Sequence, residues 1–408
     1  MMASSYQMNA VEAWDGCTAS AHALRQAQVD VVAAYPITPS TPIIQNYGSF
    51  KDNGYIDGEF VLVESEHAAM SACVGAAAAG GRVSTATSSQ GFALMVEVLY
   101  QASGMRLPIV LNVANRALAS PLNIHCDHSD MYLGRDSGWI SLCTCNPQEV
   151  YDFTLMAFKL AEHAEVRVPV MVHQDGFLSS HTVQNVRPLS DAVAYKFVGD
   201  YLSVHSMLDF DKPVSYGAQA EEEWHFEHKA KLHHAIMHSS SVLEEIFGNF
   251  AKITGRQYNL IETFGIEDAE VVIFALGTTY ESAIVAAKKA REKGVKAGVV
   301  TTHLLRPFPF ELLAGALKNA KAVAVMDKSS PSGALGALFN EIAASLYQAP
   351  GSKHPVLSNY IYGLGGRDLT QANLDSIFEA LVQDAKKGGL THPTQQFIGL
   401  NGPELSYF

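Results

Sequence analysis

Three side chains stand where strand-like runs give way to polar turns, and their types could do chemistry together: Glu66 after Val61-Leu62-Val63, Thr38 in Tyr35-Pro36-Ile37-Thr38-Pro39, and Arg116 in Asn115-Arg116-Ala117. A carboxyl group withdrawn from water holds its proton more tightly and can share it with a heterocyclic nitrogen. A guanidinium clamps a carboxylate in bidentate fashion, so with a hydroxyl the set suits a small anionic substrate. Each residue also has a plainer role open to it. Glu66 could be an acid at a helix N-terminus, Thr38 a turn residue before proline, and Arg116 an internal ion-pair partner.

Such residues need a scaffold that gathers strand ends, and the pattern around them supplies one. Val31 to Tyr35, Phe60 to Val63, Arg82 to Ala86, Ile109 to Ala114 and Val168 to Gln174 read as strands alternating with helical stretches, which argues an α/β fold with a parallel sheet covered by helices. In open sheets of this kind, ligands bind at the carboxyl ends of the strands, where Tyr35 to Pro39 and Thr87-Ser88-Ser89-Gln90-Gly91 fall. A run of small residues from His67 to Gly81 reads as a helix able to pack closely on a neighbour. These elements define a first domain over 1–186. A connector over 187–265 is irregular from Asp191 to Gly217 and then helical and polar from Glu221 to Thr254. A second, smaller α/β unit over 266–375 begins at Val271 to Gly277, continues through a helix from Tyr280 to Lys293, and returns at Ala297 to Thr301 and Ala322 to Met326. Residues 376–408 read as a C-terminal arm suited to packing on a partner.

Composition narrows the function classes. The chain has 408 residues, enough for two or three domains at roughly 150 residues each. Its net charge is −13, which disfavours an electrostatic grip on nucleic acid. No apolar run approaches the roughly 18 residues of a membrane span, and Met1 to Trp14 lack a secretory pattern, so a cytoplasmic location is expected. The five cysteines include no C-x-x-C pair, so neither a disulfide framework nor an iron-sulfur or zinc module is indicated. Cys143 and Cys145 read as buried thiols, and the histidines from His225 to His238 as a solvated helix face, so no metal site is assigned. Dinucleotide-binding, P-loop and nucleophile-elbow motifs are absent. The turn Gly363-x-Gly365-Gly366-Arg367-Asp368 could offer N–H groups to a phosphate or could be a plain turn.

A series of short motifs occurs in order along the chain: Tyr35-Pro36-Ile37-Thr38-Pro39-Ser40, Ser65-Glu66-His67-Ala68-Ala69, Thr87 to Gly91, Ala114 to Ala117, Asp127-His128-Ser129-Asp130, Arg135 to Trp139, His173 to Phe177, Leu305-Arg306-Pro307-Phe308-Pro309 and Gly363 to Asp368. Together they resemble the α subunit of the 2-oxoacid:ferredoxin oxidoreductases, most of all the pyruvate:ferredoxin oxidoreductases. The resemblance spans residues 15 to 375. It implies a thiamine-diphosphate-binding domain of the pyrimidine type followed by a transketolase C-terminal-like domain. The implied reaction is the coenzyme-A-dependent oxidative decarboxylation of a 2-oxoacid, with electrons passing through iron-sulfur clusters to ferredoxin.

The resemblance also implies site residues. Glu66 matches the acid that hydrogen-bonds the aminopyrimidine ring and supports its proton transfer, with Glu64 the nearby rival. Thr38 and Arg116 match the positions that hold the 2-oxoacid. Pro36, Ile37, Ser89 and Gln90 match the cofactor side of the pocket. The family's G-D-G diphosphate motif is missing, which puts magnesium on a partner subunit, and the missing cysteine pairs put the clusters on partners as well. The implied partners are a diphosphate-binding β subunit, a γ subunit and a ferredoxin-like δ subunit, in a dimer of hetero-oligomers. Branched or aryl 2-oxoacids, a flavin or NAD module as acceptor, and a non-catalytic assembly subunit are the alternatives.

Overall fold

The computed structural model describes residues 10–349 and 354–402, so the expectations for 1–9 and 403–408 fall outside the described residues. The first unit is built on a seven-stranded sheet. Its spatial order is Leu304–Arg306, Ile140–Cys143, Val170–Asp175, Ile109–Asn115, Val83–Thr87, Val31–Ala34 and Glu59–Leu62. All neighbours are parallel except the Leu304–Arg306 edge, which runs antiparallel to Ile140–Cys143. The strands Ile109–Asn115 and Val170–Asp175 are buried along their whole length, because helices cover both faces of the sheet. That double burial is why they read as near-continuous apolar runs.

The second sheet has six strands in the order Gln395–Phe397, Val356–Ile361, Ala322–Asp327, Val271–Phe274, Ala297–Thr302 and Ile261–Phe264, parallel except for the last. The two units are interleaved. After Ala297–Thr302 the chain passes through His303 and contributes Leu304–Arg306 to the first sheet, a crossing invisible to local pattern.

Two stretches differ from expectation. The connector holds a helix, Asp191–Val198, within the segment expected to be irregular, and Arg25 grips Asp191 there with two bonds of 3.0 and 2.7 Å. The long helix Glu222–Thr254 buries Leu232, Val242, Leu243, Ile246, Phe247 and Phe250 in the first core, packing on the helices Pro147–Ala161 and Ser89–Gly104. The expected arm also begins inside a helix, Gln371–Lys387. Beyond it, Gln395–Phe397 pairs with Val356–Ile361, so this part of the expected arm extends the second sheet.

A buried charge cluster locks the units together. Asp175, at the end of its strand, accepts from His128 Nε2 at 2.7 Å, Lys328 Nζ at 3.2 Å, and the Thr278 amide and hydroxyl at 3.1 and 2.5 Å. Burial opposes both charges, yet Lys328 and His128 hold the Asp175 carboxyl well below the usual carboxylate range, and Asp175 in turn raises the Lys328 ammonium. Removing one partner of such a pair leaves an uncompensated charge in the interior. We expect Asp175→Asn to destabilise the chain by about 3–5 kcal/mol in chemical denaturation. The double variant Asp175→Asn/Lys328→Met should recover most of that loss.

Candidate active site

The three residues singled out by type all lie along one edge of the first sheet. Thr38 follows Val31–Ala34, Glu66 follows Glu59–Leu62, Ser89 and Gln90 follow Val83–Thr87, and Arg116 follows Ile109–Asn115, each at a carboxyl end of adjacent parallel strands.

Glu66 opens the helix Glu66–Ala78. Ser65 caps that helix by accepting from the Ala68 amide at 3.1 Å, which fixes where the Glu66 side chain emerges. Glu66 is 7% exposed, whereas Glu64 lies in solvent. An added Cβ at Gly91 would lie 2.5 Å from Glu66 Oε1 and 2.6 Å from Thr87 Oγ1. Gly91 is therefore what leaves room for the carboxylate. The position of Glu66 in the first helical turn also matches the plainer reading of it as an N-terminal acid, and the two roles are compatible.

Arg116 and Thr38 meet. Arg116 Nη1 donates to the Thr38 carbonyl at 3.0 Å and Nε donates to the Asn123 carbonyl at 2.9 Å, while Nη2 has no hydrogen-bond partner among the described residues. No carboxylate pairs with its guanidinium among the described residues, so the ion-pair role foreseen as an alternative is not the one it plays. Burial lowers the guanidinium from its ordinary value, and Asp130 opposes that shift. Thr38 and Pro36 are exposed and Ile37 is half-buried, so this turn faces outward from the edge. Ser89 is fully buried and its hydroxyl donates to the Ala117 carbonyl at 2.5 Å. Its φ of +49° is a conformation that L residues seldom adopt, held here by the surrounding bonds.

Asp130 holds this arrangement together, and type and spacing alone did not single it out. Its carboxylate accepts from four N–H groups: the Ser89 and Arg116 amides at 2.9 Å each, Asn115 Nδ2 at 2.8 Å and its neighbour Met131's amide at 2.7 Å. One buried side chain thus fixes the Ser89 turn relative to the Arg116 turn. The sequence signal was the Asp127 to Asp130 motif, whose role needs the fold to read.

The Gly363 turn closes over the same loop from the second unit. Gly366 donates to the Cys126 carbonyl at 2.8 Å and Gly365 to Asp127 Oδ2 at 3.3 Å, while Asn123 donates to the Gly365 carbonyl at 3.0 Å. Those amides are already engaged within the chain, so the turn serves closure here and not as a phosphate cradle.

Comparison with known proteins reads the same architecture. The family model described as pyruvate flavodoxin/ferredoxin oxidoreductase, thiamine diP-bdg, matches residues 22–248, and that of the pyruvate:ferredoxin oxidoreductase core domain II matches 269–374. The chain is 45% identical over 385 residues to the pyruvate synthase subunit PorA of Thermotoga maritima, covering 94% of this chain and 97% of that one. The chain belongs to the pyruvate flavodoxin/ferredoxin oxidoreductase family. Within it, the ketoisovalerate oxidoreductase subunit VorA of Pyrococcus abyssi is 39% identical over 383 residues, covering 94% of this chain and 96% of that one. The fold is shared with a solved 2-oxoglutarate:ferredoxin oxidoreductase from Magnetococcus marinus. That match has a TM-score of 0.72 at 21% identity, and it covers 91% of this chain and 65% of the other. Among the described residues, no helix is long and apolar enough to cross a membrane.

The residues of this chain fit the pyrimidine end of the family's thiamine diphosphate. A buried carboxylate stands at the strand edge in room that Gly91 leaves for it, and the Thr87 and Ser88 hydroxyls nearby are buried without a hydrogen-bond partner among the described residues. Such orphaned donors are expected where a ligand completes the set.

Burial pushes the Asp130 carboxyl up to about 6, against the four donors that favour its charge. A carboxyl whose folded value lies above its unfolded one contributes stability that is complete below the unfolded value and lost as pH rises through the folded one. In urea unfolding, the wild-type chain should therefore lose about 2 kcal/mol relative to Asp130→Asn as pH rises from 4 to 7.

Proposed function

We propose that this chain is the α subunit of a thiamine-diphosphate-dependent 2-oxoacid:ferredoxin oxidoreductase, and that its complex converts pyruvate and coenzyme A to acetyl-CoA and carbon dioxide. The observation that carries the proposal is the buried Glu66 carboxylate beside Gly91, on the same strand edge as the joined Arg116 and Thr38. The 45% identity to a pyruvate synthase subunit supports pyruvate as the substrate.

When bound, thiamine diphosphate supplies the carbon nucleophile that lets a 2-oxoacid lose carbon dioxide. In this reading Glu66 holds and returns a proton at its carboxylate, in the range of contribution expected of a general acid–base group. Arg116 presents Nη2 to the substrate carboxylate, since Nη1 and Nε are anchored and set its direction. Thr38 orients the oxoacid beside it. Pro36, Ile37 and Gln90 line the cofactor side, and the buried Ser89 positions that wall rather than touching the ring.

Tyr35, Val61, Leu62, Leu122 and Ile124 are exposed apolar side chains around this edge, which supports a second subunit covering it. In the proposal the β subunit holds the diphosphate and its Mg2+, and γ and ferredoxin-like δ subunits accompany it in a dimer of hetero-oligomers. Iron-sulfur clusters on these partners carry electrons to ferredoxin or to a flavin/NAD module. The complex works in the cytoplasm, with no nucleic acid or membrane as partner.

The identity to ketoisovalerate oxidoreductase subunits favours one second reading, the same chemistry on a branched 2-oxoacid. Viologen reduction by the assembled complex, with thiamine diphosphate and coenzyme A present, separates the two. The proposal expects the highest kcat/KM with pyruvate, whereas preference for 2-oxoisovalerate or phenylglyoxylate would move the specificity. Glu66→Ala should lower kcat roughly 100-fold or more, and an unchanged rate would leave the chain an assembly subunit. Arg116→Lys should raise KM for the oxoacid, because the planar fork is lost.

A further inference from the structure

Outside the strand-edge site, Cys145, Glu149 and His303 form a second group of potential ligands. Their Sγ, carboxylate and imidazole ligand atoms all lie within 4.8 Å of one another, although His303 is more than 150 residues from the other two. Cys145 follows the strand Ile140–Cys143, Glu149 lies in the first turn of the helix Pro147–Ala161, and His303 sits at the crossing from one sheet to the other. Cys145 is 3% exposed and His303 is 1% exposed.

The imidazole is poised in one sense. His303 Nδ1 lies 2.8 Å from the Asn259 carbonyl, which can only accept, so Nδ1 carries the hydrogen. That leaves Nε2 facing Cys145 and Glu149, buried without a hydrogen-bond partner among the described residues; burial opposes the charged imidazole but Glu149 raises it above its ordinary value, so a metal ion there would displace the Nε2 proton. A second-shell carbonyl of this kind is the usual means of fixing a metal-binding histidine. Nε2 and Glu149 Oε2 are 3.5 Å apart, long for a hydrogen bond but close to the edge of about 3.4 Å spanned by two ligands at tetrahedral zinc.

Charge points the same way. The groups acting most strongly on Cys145 are Glu149, Glu281 and Asp175, all acids, and Glu149 and Glu262 act on His303. One thiolate and one carboxylate would neutralise a dication, so the loaded site would bury no net charge. The neighbouring group Cys126, His128 and Asp175 differs, because Lys328 already supplies its cation.

We propose that Cys145, Glu149 and His303 bind a zinc-type divalent ion with a fourth position left to water, pinning the chain where it crosses between the two sheets. Sulfur, nitrogen and oxygen ligands in this geometry suit zinc and not magnesium or calcium. The ion would join the Cys145–Glu149 turn, where Glu149 Oε2 already accepts the Cys145 amide at 2.6 Å, to the His303 crossing, whose carbonyl accepts the Cys143 amide at 2.9 Å.

The test is titration of the chelator-treated full-length chain with cobalt(II) alone, which avoids the iron absorption of the assembled complex. The expected result is one equivalent bound, with intense visible bands of tetrahedral cobalt and a thiolate-to-cobalt charge-transfer band. Cys145→Ser should abolish that band, and Glu149→Gln should weaken binding at least ~10-fold. Cys126→Ser should leave the spectrum unchanged. Absence of the charge-transfer band in the wild-type chain, or its persistence in folded Cys145→Ser, would overturn the proposal. Should Cys145→Ser fail to fold by circular dichroism, Glu149→Gln with unweakened binding would overturn it instead.

Discussion

Four N–H groups, from the Ser89 turn, the Asn115–Arg116 turn and the neighbouring Met131, converge on the buried carboxylate of Asp130, and the positions of the candidate site residues follow from that convergence. A parallel sheet brings strand ends side by side but does not fix the turns that follow them. Asp130 supplies the missing constraint by holding the amides of Ser89 and Arg116 on one oxygen. Ser89 then reaches the Ala117 carbonyl, and Arg116 reaches the Thr38 carbonyl, so three neighbouring turns form one hydrogen-bonded set. Buried networks with every member satisfied are rigid for this reason.

The second unit stabilises the loop that carries Asp130. His128 binds Asp175 and its amide donates to the Lys328 carbonyl at 2.7 Å, while the Gly363 turn clasps Asn123, Cys126 and Asp127. The loop from Arg116 to Asp130 is therefore held between two sheets. The second unit contributes order to the site through these contacts and places none of the proposed catalytic groups itself.

Much of this was legible in the sequence, and the exceptions have physical causes. Strands such as Ile109–Asn115 were readable because burial on both faces demands an apolar run. Ile140–Cys143 was not, because Ser141 and Cys143 dilute the pattern in a strand of four residues. The Leu304–Arg306 edge depends on pairing with residues more than 150 positions away, which no local signal carries. Glu66 was distinguished from Glu64 by motif, and the fold buries the first while leaving the second in solvent. Asp130 was visible as part of a motif, but its function lies in donors from two other turns and appears only when the chain is folded. The amides of the Gly363 turn were similarly ambiguous until their acceptors were known.

In the proposed function this edge is one wall of a cofactor site, and exposed Tyr35, Val61, Leu62, Leu122 and Ile124 are where another subunit would seat. Calorimetric titration of thiamine diphosphate with Mg2+ tests that claim most directly, comparing the folded chain alone with the chain assembled with its partner subunits. The account predicts one thiamine diphosphate bound per copy of this chain in the assembly and no detectable binding to the chain alone. Equal affinity for the isolated chain, or binding to partner subunits in its absence, would contradict a shared site.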